Sequence, residues 1–311
     1  MEEHEFTESR EFPGPFVRVR GRLSREWQVQ WNPSLRTYKG PPDKPVPGSG
    51  NNRTAVSQTQ FAVDFLDYQG KVLESLPTVP HFLAKDQEWA TFVARLPYHS
   101  ATQSMRLRFG EREISVLPVP TDRPFFSLLH PGEDSFIDGR GVLALHWCGH
   151  DDEHPMTFFV RYSHDGRDWL RPGVNLRTND FYLDLREMPG GARCAVQVLA
   201  TNGYRTSYVQ TRHFEVPRKP PEVFLGETDG PVLFVQGFSR ENGPITGEQI
   251  AWLDRDGNAI RRGGTLDVRS LPPGVHRLSV MVQDAGAVQT TELIGIYDAP
   301  SGRRLPSSPG L

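Results

Sequence analysis

Two cysteines in 311 residues, no long apolar run and no surplus of either charge exclude several classes of protein at the outset. Two thiols do not settle the redox compartment, and they supply no Cys-x-x-Cys ligand pair for a metal. No apolar stretch approaches the roughly 20 residues that a membrane-spanning helix needs, so membrane insertion is not expected. The 35 basic and 38 acidic residues are well mixed and leave a net charge of −3. Such a balance gives no sequence-independent grip on a phosphate backbone, and nucleic acid is not an expected partner. The opening Met1–Phe6 is acidic with no apolar segment behind it, which is not a secretory signal. The expectation is a cytosolic protein or the secreted portion of a longer precursor. Gly-x-Ser-x-Gly, His-Glu-x-x-His, P-loop and dinucleotide-binding patterns are all missing, so neither an enzyme nor a cofactor is expected.

What the chain has instead is glycine (29) and proline (27), spread between short alternating apolar runs. That pattern reads as turns in an all-β protein, and the length suits two or three domains. Residues 1–14 are charged and aperiodic, which predicts a flexible leader. A first sandwich is expected over 15–120. In Phe16–Leu23, valines 17 and 19 and Leu23 share one face and arginines the other, as in a half-buried strand. A polar Pro/Gly-rich stretch, 33–57, interrupts this domain as a long loop, and such loops are commonly functional. The clearest pattern lies in 121–217: Leu143-Leu145-Trp147, Met156-Phe158-Val160-Tyr162, and turns at Ser163–Gly166, Met188–Gly191 and Thr201–Gly203. Arg218-Lys219-Pro220-Pro221 is a stiff linker, a third sandwich is expected over 218–299, and 300–311 reads as a disordered tail.

The run His146-Trp147-Cys148-Gly149, the hairpin Tyr162-Ser163-His164-Asp165-Gly166 with Trp169 behind it, Met188-Pro189-Gly190-Gly191 and Ala200-Thr201-Asn202-Gly203 together resemble a bacterial fibronectin type III-like module. The third segment, with Leu253–Gly257 and Leu271–His276, is similar to the Ig-like module that often follows, and the first to the segment that often precedes. The resemblance covers about 60–298 and implies three tandem Ig-like/fibronectin type III-like β-sandwiches. It also implies the non-catalytic C-terminal part of a large surface or secreted protein, often behind a peptidase. The acidic loop of such modules reads Asp-x-Asp-Gly-Asp; here it is Asp151-Asp152-Glu153-His154, a departure that weakens the inference of a calcium site.

Candidate sites are sparse. His146, Cys148 and His150 alternate on a strand, and imidazole and thiolate suit zinc; the alternative is an ordinary solvated face opposite Trp147. Asp254–Asn258 lacks the twelve-residue calcium loop and reads as a hairpin turn. Cys148 falls on the face opposite Trp147 while Cys194 aligns with Val196 and Val198. Their Cβ vectors then diverge, so a disulfide is not expected, although an extracellular sandwich sometimes carries one between such strands. Trp27, Trp31, Tyr38 and Trp89 flank the long loop and could form a platform for a sugar or peptide. The period-2 spacing of Trp27, Val29 and Trp31 instead predicts one inward face. The expected contact surface is the loop itself, represented by Tyr38, Pro42, Asn51, Asn52 and Arg53. It would meet a protein or glycan partner, with Asn52-Arg53-Thr54 a glycosylation sequon of no expected consequence.

Overall fold

A computed structural model describes residues 7–37, 60–81, 88–149, 155–226, 231–285, 289–299 and 301–305. Six antiparallel sheets stack in pairs, giving three sandwiches along the chain. Each closes over its own core, because alternating strands turn one face inward. The first core gathers Val17, Val19, Phe65, Phe92, Leu96 and Leu107; the second Leu145, Trp147, Phe158, Tyr162, Val196 and Val198; the third Val235, Trp252, Leu278 and Val280.

The first sandwich packs a three-stranded sheet on a four-stranded one. In the smaller sheet Phe16–Ser24 lies between Val29–Thr37 and Trp89–Pro97. In the larger, Phe61–Leu66 and Ser104–Phe109 are central, with Val72–Pro77 and Arg112–Pro118 at the edges. The second and third sandwiches share one connectivity. In the second, Ser127–His130, Val142–Cys148 and Asp180–Asp184 pair in that order. Leu170–Leu176, Thr157–Ser163, Gly191–Thr201 and Thr206–Gln210 pair in the facing sheet. In the third, Glu222–Gly226, Val232–Ser239 and Thr265–Asp267 face Ala259–Arg262, Ile250–Leu253, Val275–Gln283 and Gln289–Asp298.

The turn chemistry explains the connections. Gly166 has φ 77° and Asp165 accepts the backbone N–H groups of Arg167 and Asp168. Gly257 has φ 84° and Asp254 accepts from Asp256 and Asn258, the hairpin that its Asp-Gly dipeptide predicts. Both carboxylates are held below the ordinary aspartate range: for Asp165 burial pushes up, and the hydrogen bonds from Arg167, Asp168 and Ser163 together outweigh it, while the backbone bond from Asn258 leads for Asp254.

Three expectations change. The 1–14 leader is not free over its second half: Thr7–Glu8 pairs with Ser127–Leu128 and Arg10–Glu11 with Ser207–Tyr208. Each adds an edge strand to a sheet of the second sandwich, and Phe12 is buried against Phe159 and Leu199. Short charged strands lack the alternation that marks a strand, so only the sheet edge they complete reveals them. Pro33–Thr37 continues a strand rather than opening the 33–57 loop. Within the 300–311 tail, Arg303–Leu305 pairs with Ile296–Asp298.

Candidate recognition groove

The outer pole of the first sandwich, facing away from the second, is built from four chain segments. Ser24 and Gln28 close a tight turn, with Ser24 N–H donating to the Gln28 carbonyl at 2.9 Å and Trp27 N–H to the Ser24 carbonyl at 3.1 Å. Trp27 sits in it at φ 68°, a left-handed conformation that non-glycine residues adopt only where packing repays the strain. Its ring stacks on Phe61 (centroids 5.7 Å apart, planes 25°) and meets the edge of Phe109 at 5.1 Å. Phe61 and Phe109 lie 4.8 Å apart, and the Arg112 guanidinium stands 5.3 Å from the Trp27 ring. These rings, with Leu23, Thr78, Val79, Pro80 and Gln60, line a cleft of about 510 Å³.

The prediction that Trp27 shares an inward face with Trp31 therefore holds for only one of them. Trp31 points in, edge-on to Phe92 at 5.5 Å, and its indole N–H donates to Ser115 Oγ at 3.0 Å. Trp27 belongs to a turn, where period-2 reasoning does not apply. The groove's other rings carry no local sign of their role. Phe61 and Phe109 read as ordinary strand ends, and only the register Phe61↔Phe109 puts them side by side.

The loop-contact residues Tyr38, Pro42, Asn51, Asn52 and Arg53 lie outside the described residues, as does His150. The described flanks are informative. Thr37 pairs with Phe16 at the pole nearest the second sandwich, whereas Gln60 lines the groove at the far pole.

His146 and Cys148 stand on the outer side of Val142–Cys148, opposite buried Trp147. The fold brings His130 across from His146, the two rings 6.2 Å apart, and sets Tyr182 edge-on to His146 at 5.9 Å. Neither neighbour is visible in the local sequence. Among the described residues no three His, Cys, Asp or Glu side chains converge as a metal site would require. Cys148 is exposed and Cys194 fully buried, both free thiols. Burial pushes the Cys194 thiol up, away from the reactive thiolate. No described helix is long and apolar enough to cross a membrane.

No protein-family model matches the chain, and no curated protein matches it. Among solved structures it is similar to the FN1–FN3 domains of chicken CNTN1, at 12% identity over 92% of this chain and 96% of that one, with a TM-score of 0.20. It is also similar to a tetra-tandem repeat in the extending region of a large adhesion protein, at 10% identity over 93% of each chain, with a TM-score of 0.25. The chain is three tandem Ig-like β-sandwiches. Its own sheet pairing carries that statement, since overlays this loose say nothing of function.

The sandwiches are locked end to end rather than strung on linkers. The hairpin after Gly191–Thr201 inserts Tyr204 into the first core, where it is fully buried. The Tyr204 ring stacks on Tyr98 at 5.5 Å and meets Phe65 edge-on at 5.3 Å. Its hydroxyl lies 2.9 Å from Thr102 Oγ1 and 3.1 Å from the His99 carbonyl. Arg205 donates to the Pro120 carbonyl (2.8 Å), the Ser100 carbonyl (3.1 Å) and the Tyr98 hydroxyl (3.1 Å). At the second joint, Glu241 accepts the backbone N–H groups of Gly190 and Lys219 at 2.7 and 3.1 Å, and Arg240 donates to Glu187.

Proposed function

We propose that this protein is a non-catalytic recognition and display module, which contacts a protein or glycan partner at the free pole of its first sandwich. The observation that carries the reading is the groove framed by Trp27, Phe61 and Phe109. Large aromatic faces with an adjacent guanidinium suit sugar rings and apolar or proline-rich peptide segments alike. The loop residues Tyr38, Pro42, Asn51, Asn52 and Arg53 are proposed to take part in the same contact. Glycan and peptide arrays probed with the native chain and with Trp27→Ala test it. Hits that disappear in the variant support the groove; hits that survive place the contact elsewhere. An array without hits leaves a spacer only.

A second reading has an observation of its own. The Tyr204 and Glu241 joints fix the sandwiches relative to one another, which suits an accessory or scaffold subunit that positions a catalytic partner such as a peptidase. Affinity capture from native lysate distinguishes it, because a stoichiometric enzyme would be recovered with the chain. In both readings the chain itself performs no chemistry.

A further inference from the structure

Among the described residues, the outer face of the smaller sheet in the first sandwich presents guanidinium groups and no carboxylate. The nine-residue strands Phe16–Ser24, Val29–Thr37 and Trp89–Pro97 contain no Asp or Glu. With Val17, Val19 and Leu23 turned into the core, Arg18, Arg20 and Arg22 project outward in a row. Arg95 stands directly across from Arg18, Val93 from Arg20, and Thr91 from Arg22. On the other flank Asn32 and Gln30 oppose Arg20 and Arg22. Arg171 of the second sandwich lies near enough to act on Arg18, whose guanidinium is pushed down by burial first and then by Arg20, Arg95 and Arg171. The Arg18 Nε–H is buried with no acceptor among the described residues.

The facing sheet shows what compensation looks like in the same domain. There Asp64, fully buried, accepts from Arg106 Nε at 3.0 Å and Nη2 at 2.7 Å and from Arg108 Nε at 3.0 Å, and receives the Ser75 hydroxyl at 2.6 Å. Among the described residues the Arg18–Arg20–Arg22 row has no such carboxylate.

We infer that this face is a docking surface for an acidic polypeptide segment, an extended stretch with carboxylates at alternate positions. Charge complementarity and spacing argue for it. Alternate residues of an extended chain recur about every 6.8 Å on the ligand and on the strand that carries the arginines. Each guanidinium presents a planar fork matched to a carboxylate. Val93, 47% exposed beside Arg20, offers an apolar contact to the methylene groups of the ligand's acidic side chains, since the residues between them point to the opposite face. A long polyanion is a poorer fit. The row spans only about 14 Å, so most of a longer polyanion's charge would lie more than a Debye length of about 10 Å from the arginines and be screened from them. The surface runs along the side of the sandwich and does not depend on the groove at its pole.

The test uses the full chain and a fluorescein-labelled peptide of alternating Glu and Val, with a Gln/Val peptide, a single-stranded oligonucleotide and a sulfated oligosaccharide of matched charge as comparators. The Glu/Val peptide is expected to bind more tightly than every comparator and to weaken steeply as salt rises from about 0.05 to 0.5 M. Arg20→Gln with Arg22→Gln, the two side chains farthest from the joint, is expected to lose about tenfold or more in affinity, the size of effect that charge-assisted hydrogen bonds produce. Adding Arg18→Gln deepens the loss, and unchanged thermal midpoints show that the variants are folded. Equal binding by the double variant, or by the Gln/Val peptide, overturns the inference. Tighter binding of the oligonucleotide or oligosaccharide overturns it in favour of a polyanion. Loss of array hits in Trp27→Ala leaves this result untouched, so the two proposals fail separately.

Discussion

Tyr204 is the side chain whose loss should change this protein most, because it belongs to one sandwich by sequence and to another by packing. Replacing it with alanine removes a fully buried aromatic ring from the first core, together with its contacts to Tyr98 and Phe65. Truncations of that kind cost about 3–5 kcal/mol. Tyr204→Phe keeps the ring and deletes only the hydroxyl that meets Thr102 and His99, which sets its cost nearer 1–2 kcal/mol. The penalty should fall on the first sandwich and its coupling to the second. Urea unfolding followed by tryptophan fluorescence reads this, since Trp27, Trp31 and Trp89 report the first sandwich and Trp252 the third. The alanine variant is expected to unfold its first sandwich at clearly lower urea while the third is unmoved. Limited proteolysis should then cut near Val119–Asp122, where Arg205 and Asn202 hold the connection in the native chain. A first-sandwich shift below about 0.5 kcal/mol, the scatter expected of a surface substitution, would show that the tyrosine fills a joint it does not hold.

Two further outcomes follow from buried polar groups. Asp64→Asn leaves Arg106 and Arg108 facing a neutral amide at a fully buried position. Breaking such a cluster from one side costs about 3–5 kcal/mol, checked by the thermal midpoint of the first sandwich. Alkali should also loosen the protein. Burial pushes the Tyr204 phenol up to about 12, and the Tyr162 phenol up as well. A raised folded pKa means the native state holds its proton longer than the unfolded one. Its contribution is therefore complete below pH about 10 and is lost as pH rises toward 12, amounting to about 2–3 kcal/mol for Tyr204. Urea midpoints taken across that window should fall, and fall less steeply in Tyr204→Phe.

The sequence by itself determined the class of object. Alternation placed Leu143, Leu145 and Trp147 in one core and the arginines of Phe16–Leu23 on a solvated face. Asp-Gly and Asn-Gly pairs located the turns, because those backbone conformations tolerate few other residues. The opposed faces of Cys148 and Cys194 followed from the same two-residue period. Tertiary structure decided everything that depends on which strand lies beside which. Trp27 became a groove wall because its residue sits in a left-handed turn and Phe61 pairs with Phe109. His130 arrived beside His146 through strand register. Thr7–Glu8 and Arg10–Glu11, polar and too short to show a period, became strands only because the edges of the two facing sheets of the second sandwich pair with their backbones. Tyr204, one residue past a predicted turn, carries no local mark of its role; the neighbouring core that receives it lies about a hundred residues earlier in the chain, and local pattern has no reach over that separation.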